Sequence, residues 1–458
     1  MAKTIPGTTS ASPPTPPLPA TAAPPAGRGV IQLGTVTRAG QEPVQLEPEE
    51  LEGYEELELL ISGKANDYRY GETTDDLLVA EPDQPYTSRI VVHRPIDPTA
   101  FNGTVILEIA HPEIGLGPLW RATGSYLRAH GDAHVMVTTR RNTQAYGERT
   151  PVSILKAFDP ERYAPVDFQE GGLSWDIIAQ TAALLRSESP YNPLAGYGVS
   201  QIVGGGYSGA GAYALMFLRS FHDHWRRPDG GPLVDAWFVG EPSWYQQIST
   251  LDDRIPADQI VPDIDAPVIS LYTGPQEWMD LATGLDVDRI RPDRDGERRG
   301  YRTFELAGGG HANMPGCGLP ASDNRLDHIF RLCVDYLKRW AAGEGAPPHG
   351  ERITLADPQE GRTSRRAVRD EHGNATGGLR TTWLDVPHAR YTVCRETNTG
   401  VMEPFPPARM EELYGDQASY VRLVEQRGRQ LVAEGWLLAA DLPEVVAAAQ
   451  AHEPFGDR

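Results

Sequence analysis

Gln201-Ile202-Val203-Gly204-Gly205-Gly206-Tyr207-Ser208-Gly209-Ala210-Gly211, followed at once by the apolar, helix-forming stretch Ala212 to Leu218, decides how this chain folds. A strand-forming run enters a glycine cluster and leaves it as a helix, so Ser208 falls on a sharp strand-to-helix turn. Such an elbow needs small residues around the serine, because a side chain on either flank would strike the neighbouring strand or helix. Gly206, Gly209 and Ala210 meet that need. The usual pattern, G-x-S-x-G, ends in glycine, and Ala210 departs from it with little added bulk. Ser208 is the candidate nucleophile.

The same residues satisfy G-x-G-x-x-G through Gly204, Gly206 and Gly209. A dinucleotide site also requires a second strand about 20 residues on, ending in an acidic residue for the ribose. At that distance Leu218 to Trp225 reads as a continuing helix, and the next strand, Val234 to Val239, comes too late. No cofactor is expected.

Outward from the elbow, strand and helix alternate. Before it come a strand-like or extended lead-in from Val30 to Val44, a strand from Tyr54 closed by a turn at Ser62-Gly63, and a strand from Tyr86 to Pro95. Gly103 to Ile109 reads as a strand buried on both faces; a helix from Leu119 to His130, a strand from His134 to Thr139 and an amphipathic helix from Trp175 to Arg186 complete this half. After it come strands at Val234–Val239, Pro267–Tyr272 and Arg302–Leu306, and a helix from Asn324 to Ala342 with an apolar stripe at Ile329, Leu332, Cys333, Tyr336 and Leu337. This alternation predicts an α/β fold, a mostly parallel sheet flanked by helices, in the α/β-hydrolase arrangement. Residues 1–27, rich in Pro and Ala, read as a disordered lead; 28–345 as the hydrolase domain with N-terminal strand decoration; and 346–458 as an extension packed on it, irregular to Asp385 and helical in two or three pieces from Met410 to His452.

An unaided serine hydroxyl is a poor nucleophile, so Ser208 needs a base and an orienting acid, and the α/β-hydrolase chain order is serine, acid, histidine. His311, on the glycine-rich loop Gly308-Gly309-Gly310 after a late strand, is the expected base. Glu277 is the expected acid, with Asp280 and Glu241 in reserve. Oxyanion donors are expected from the backbone N–H of Gly209 and from that of Ala110 or His111 after the Gly103–Ile109 strand, since Pro112 has none to give. Tyr207, Trp120, Trp244 and Trp278 stand near these loops and suggest an apolar substrate pocket, although core packing accounts for them nearly as well.

Several segments, namely Phe101 to Glu108, the elbow, Ala307 to His311, Asn324 to Pro347 and Gly373-Asn374-Ala375-Thr376-Gly377-Gly378-Leu379-Arg380-Thr381, resemble a bacterial family described as alpha/beta hydrolase domain proteins. The resemblance runs from about Glu50 to Ala449 and implies an esterase-like enzyme with a decorated sheet and a C-terminal helical extension. The Gly373–Thr381 segment carries no assignable chemistry and is expected to be structural. Three places depart from the family: Tyr207-Ser208-Gly209-Ala210 stands where Ser-Gln-Ser is common, Ile109-Ala110-His111 where a Trp-Leu-Asn type sequence is usual, and Thr273-Gly274 where a Thr-Glu or Ser-Glu pair follows the strand. The nucleophile and base carry over; the acid and the substrate preference do not.

Composition narrows the partners. With 458 residues, 42 Lys and Arg against 63 Asp and Glu give a net charge of −21, which repels nucleic acid and anionic lipid. The chain contains no membrane-spanning stretch and its start has no signal-like apolar run, so a cytoplasmic location is expected. The three cysteines, Cys317, Cys333 and Cys394, show no C-x-x-C pair, and the twelve histidines no metal-ligand spacing. Reduced thiols are the simpler expectation, with one bridge, for example Cys317 to Cys333, the alternative; no metal is expected. The function predicted is cleavage of an ester, lactone or related acyl compound through an acyl-enzyme. Acyl transfer or amide hydrolysis would use the same triad, and a non-catalytic ligand-binding homologue is the rival suggested by the altered elbow.

Overall fold

The computed structural model describes residues 30–34, 51–111, 117–139, 155–157, 159–167, 172–242, 248–249, 251–256, 261–273, 291–357, 366–452 and 455. Nine strands form one sheet: β1 (Val30–Gly34), β2 (Tyr54–Tyr70), β3 (Leu77–Pro95), β4 (Thr104–Ile109), β5 (Ala133–Val137), β6 (Gln201–Tyr207), β7 (Ala236–Gly240), β8 (Pro267–Thr273) and β9 (Gly300–Leu306). Their spatial order is β1-β2-β3-β5-β4-β6-β7-β8-β9. The first three and the β3–β5 junction are antiparallel, and every pairing from β5 to β9 is parallel. This is an α/β-hydrolase sheet with β1 added at one edge.

The apolar alternation of each strand explains the layers. In β4, Val105, Leu107 and Ile109 enter one core and Ile106 the other; in β7, Trp237 and Val239 divide from Ala236 and Phe238 in the same way. Successive side chains point to opposite faces, so a strand apolar at every position must be covered on both sides. Helices α2 (Ser174–Leu185) and α3 (Gly209–Ser220) cover the first face, while α1 (Pro118–His130) and α4 (Leu326–Ala342) cover the second. Because β4 lies between β5 and β6, the strand order reverses there, and the C-terminal ends of β4 and β6 flank the crevice where such sheets bind ligands.

Four expectations are corrected. No turn follows Ser62: β2 continues to Tyr70, and Gly63 is small because a Cβ there would lie 2.9 Å from Gln180 Oε1 on α2. Helix α2 is not amphipathic but buried almost throughout, sandwiched between the sheet and the long β2–β3 hairpin. Its Asp176 is tolerated inside because Oδ1 accepts from Tyr68 Oη (2.7 Å) and Oδ2 from Asn66 N (2.8 Å). The helix after the elbow ends at Ser220 rather than running on to Trp225. Finally, Cys317 is bonded to Cys394, 77 positions away, while Cys333 is the free thiol. Cys333 belongs to the apolar stripe of α4 and faces the core with Ile329 and Leu337, out of reach of a surface partner.

The C-terminal extension packs on the far end of the sheet around a third core that includes Ala307, Ile353, Trp383, Tyr391, Met410 and Tyr420. Beyond the short helix α5 (Thr382–Asp385), its helices are α6 (Pro407–Tyr414), α7 (Gln417–Glu434) and α8 (Leu442–Ala451). An element with no counterpart in the sequence reading is a hairpin, β11 (Ala389–Cys394) and β12 (Thr399–Pro404), joined by the two-residue strand β10 (Ala312–Asn313). The Gly373–Thr381 segment supports this hairpin, for the fully buried Asn374 side chain accepts from Tyr391 N (2.7 Å) and donates to Ala389 O (3.2 Å).

Candidate active site

Ser208 stands between β6 and α3 with φ 61° and ψ −125°, a backbone region that costs a non-glycine residue about 1–3 kcal/mol. Its own amide donates to Gly240 O at 2.8 Å, and its carbonyl accepts from Ala212 N at 3.0 Å. The small-residue requirement is literal: a Cβ on Gly206 would lie 2.5 Å from Cβ of Ala210, and one on Gly205 would lie 2.4 Å from Phe238 O. With Gly206 bare, alanine fits at 210, and the glycine run serves strand packing. Gly209 opens α3, where the first N–H groups of a helix have no partner within the helix and the dipole favours negative charge.

A cavity of about 540 Å³ opens at Ser208, and its wall also carries His311, His111 and Tyr207. The His311 ring stacks on Tyr207, centroids 5.2 Å apart, while Tyr207 Oη donates to the His311 carbonyl at 2.8 Å. Burial pushes the His311 imidazole down to about 4, which leaves it neutral and able to accept a proton at ordinary pH. His111 is likewise held down to about 4, by burial first and then by the neighbouring charge of His311. Burial also pushes the Tyr207 phenol far up, so it acts as a neutral donor.

Of the three expected acids, Glu277 and Asp280 lie outside the described residues. Glu241 follows β7 with φ 43° and is buried; its Oε2 accepts from Thr273 N (2.5 Å) and Thr273 Oγ1 (2.9 Å). Thr273 Oγ1 also lies 3.1 Å from Tyr207 Oη; with its proton given to Glu241 and that of Tyr207 to the His311 carbonyl, the two hydroxyls are neighbours without a hydrogen bond between them. Burial raises its carboxyl to about 7, a poor permanent anion for an imidazolium. Glu241 is joined to Thr273, the neighbour of Tyr207.

Two further expectations are corrected. Ala110 N donates to Val137 O at 2.9 Å, extending the β4–β5 ladder, so it is not an oxyanion donor, and His111 is the remaining candidate of the pair. Trp120 does not line the cavity; it stacks on His93 at 3.7 Å and near His134 at 5.0 Å. Trp244 and Trp278 lie outside the described residues. The sequence reading missed the wall contributed by α1 (Pro118, Arg121, Ala122), by the loop after His311 (Asn313, Ser322, Asp323) and by the start of α4 (Arg325, Leu326, Phe330). Phe330 was recoverable, since it falls within the helix already read from the apolar stripe.

Glu108 supports the crevice from below. Fully buried on β4, it accepts from Leu119 N (2.8 Å, Oε1) and Trp120 N (3.0 Å, Oε2), capping the N-terminus of α1. Among the described residues, His222, Asp223 and Asp265 gather in one cluster and Asp327, His328 and Glu444 in another. Arg226 already pairs with Asp265, and Arg325 and Arg331 with Asp327 and Glu444, so neither cluster offers a free anionic cage.

Sheet order, strained serine and helix head together define a member of the α/β-hydrolase class. The chain belongs to the alpha/beta hydrolase domain family, which matches residues 16–447. No curated protein matches its sequence. Similar solved structures include the rice cell wall degrading esterase LipA from Xanthomonas oryzae (16% identity, 41% of this chain and 42% of that one, TM-score 0.23). Esterase Est22 (13%, 42% and 46%, 0.23) and a brefeldin A esterase described as a bacterial homologue of human hormone sensitive lipase (18%, 39% and 39%, 0.21) are others. The chain spans less than half the length of each. Among the described residues no helix is long and apolar enough to cross a membrane.

Proposed function

We propose that the protein is a serine hydrolase that cleaves a carboxylic ester, lactone or related small acyl compound through an acyl-enzyme. The observation that carries this reading is Ser208, held at a positive φ at the head of α3 and opening on a cavity shared with His311. In the proposed reaction, Ser208 Oγ attacks the acyl carbon as His311 takes its proton; the imidazolium then protonates the leaving group, and water repeats the sequence in reverse. Gly209 N–H and the backbone of His111 stabilise the oxyanion, and Glu277 orients the imidazole. A neutral, half-buried His311 supports the base role, because a histidine already protonated at working pH has no lone pair to offer. The cavity volume is in the range that holds a small organic ligand. A cytoplasmic location was expected from the sequence, and the Cys317–Cys394 bridge weighs instead towards an oxidising compartment.

The test is intact-mass spectrometry after exposure to a fluorophosphonate, with Ser208→Ala beside the wild type. A single adduct on the wild type that the variant lacks is expected. A folded wild type that takes none would favour the non-catalytic binding homologue.

A further inference from the structure

The loop that carries His311 is built into the C-terminal hairpin rather than merely covered by it. His311 N donates to Asn398 O at 3.2 Å, and the next two residues form β10, parallel to β12 in the register Ala312 to Thr399 and Asn313 to Gly400. A Cβ on Gly310 would lie 2.1 Å from Gly400 N, so the two backbones touch at the residue before His311. The loop returns along the same hairpin: Met402 N donates to Pro320 O (3.1 Å) and Ser322 N to Gly400 O (2.9 Å). Between these contacts Cys317 is bonded to Cys394, the last residue of β11. Cys317 is exposed and holds φ 52°, a left-handed conformation that a non-glycine residue keeps only when its surroundings impose it. Ala312, Asn313, Ser322 and Asp323 of this loop line the cavity with His311.

We propose that the β11–β12 hairpin and its Cys317–Cys394 bridge position His311, so that turnover depends on the redox state of the bridge. This rests on His311 being the base of the proposed hydrolase. A dithiol reductant attacks the exposed Cys317 sulfur, the Cys317–Cys394 bond breaks to give two thiols, and the reductant leaves as its cyclic disulfide, two electrons and two protons having passed to the protein. Tyr207 still holds the His311 carbonyl from one side, but the loop between Gly310 and Ser322 loses its covalent tie on the other. Misplacement of a catalytic group by a fraction of its contact distance is enough to lower the rate without unfolding the protein.

The experiment compares oxidised wild type, wild type reduced with dithiothreitol, reoxidised wild type and Cys317→Ser, whose substitution site is exposed. Hydrolysis of a short-chain p-nitrophenyl ester is followed well below the melting temperature, beside amide hydrogen exchange at His311 and Asn313. Reduction and Cys317→Ser are expected to lower kcat by roughly 10- to 100-fold, reoxidation to restore it, and the variant to ignore dithiothreitol. Both amides are expected to exchange faster in the reduced protein. A bridge with only a structural role would lower the melting temperature and leave kcat unmoved, and that result overturns the proposal. If the oxidised wild type neither hydrolyses ester nor takes fluorophosphonate, the hydrolase reading fails by itself. Exchange then decides the clamp: unchanged protection at His311 overturns it, and lost protection supports it.

Discussion

Ser208 and His311 present opposite electrostatic problems. The serine is served by what surrounds its backbone, a helix head and unpartnered first-turn amides, and all of that was legible because an elbow can be made only from small residues at fixed offsets. In the proposed triad the histidine is served by a carboxylate, Glu277. Burial pushes its imidazole down to about 4. A carboxylate against the ring stabilises the imidazolium and raises that value towards the ordinary histidine range. The acidic limb of kcat/KM therefore reports the acid: in Glu277→Gln it should move to lower pH, towards 4, with kcat reduced by about 10³-fold or more. A limb that stays put in Glu277→Gln but falls in Asp280→Asn would transfer the role to Asp280. Tyr207→Phe tests the opposite side of the loop. Loss of the hydroxyl that binds the His311 carbonyl should lower kcat and cost about 1 kcal/mol of stability, read from a urea midpoint at unchanged m.

Helix α2 shows where pattern reading stops at the level of elements. Trp175 to Arg186 contains Asp176, Gln180 and Thr181, which look like a polar face, yet each is buried because a polar partner from elsewhere in the chain meets it or its own helix backbone does. Tyr68 and Asn66 serve Asp176, Tyr86 and Lys64 serve Gln180, and Thr181 returns its hydroxyl to Ile177 O. Local spacing cannot reveal a partner more than 90 positions away, and the same limit hid the β11–β12 hairpin, whose apolar residues are interrupted by Arg390 and Thr392. The parallel strands were legible for the converse reason, since β4 and β7 are apolar at nearly every position and need no distant partner to declare burial. Replacing Asp176 with leucine should leave the Asn66 amide and the Tyr68 hydroxyl without acceptors and destabilise the protein by about 3 kcal/mol. Urea unfolding checks this, and a loss below about 0.5 kcal/mol would mean that the hairpin readily finds other partners.

Across the whole molecule, buried ionisable groups set how the fold answers acid. His93, His111 and His452 are all held at about 4, burial being the first cause in each. Each binds its proton more weakly folded than unfolded, so the unfolded chain takes up more protons and stability is lost as pH falls from about 6.5 towards 4. Four carboxyls act in the opposite sense, Asp67 and Asp132 being pushed up by burial along with Glu241 and Asp176. Burial raises Glu241 to about 7 and Asp176 to about 6, so the folded state gains protons first and is stabilised as pH falls through those values. The carboxyl effect begins higher, near pH 7, and is complete once the unfolded carboxyls protonate near 4, whereas the imidazoles contribute over the whole span below 6.5. Burial pushes His224 and His328 down as well, so five imidazoles outweigh four carboxyls, and Glu444 and Asp252, both held at about 2 in the folded state, add their own loss below pH 4. The melting temperature should be nearly level from pH 8 to 6.5 and then fall with increasing slope to pH 4. His93→Gln is the sharpest probe, because His93 does not line the cavity and sits between Glu56 and His134 under the stacked Trp120. It should flatten the slope between pH 6 and 4.5 while lowering the plateau through its lost contacts. A wild-type melting temperature constant from pH 7 to 4.5 would show that these imidazoles keep their ordinary proton affinity in the folded state.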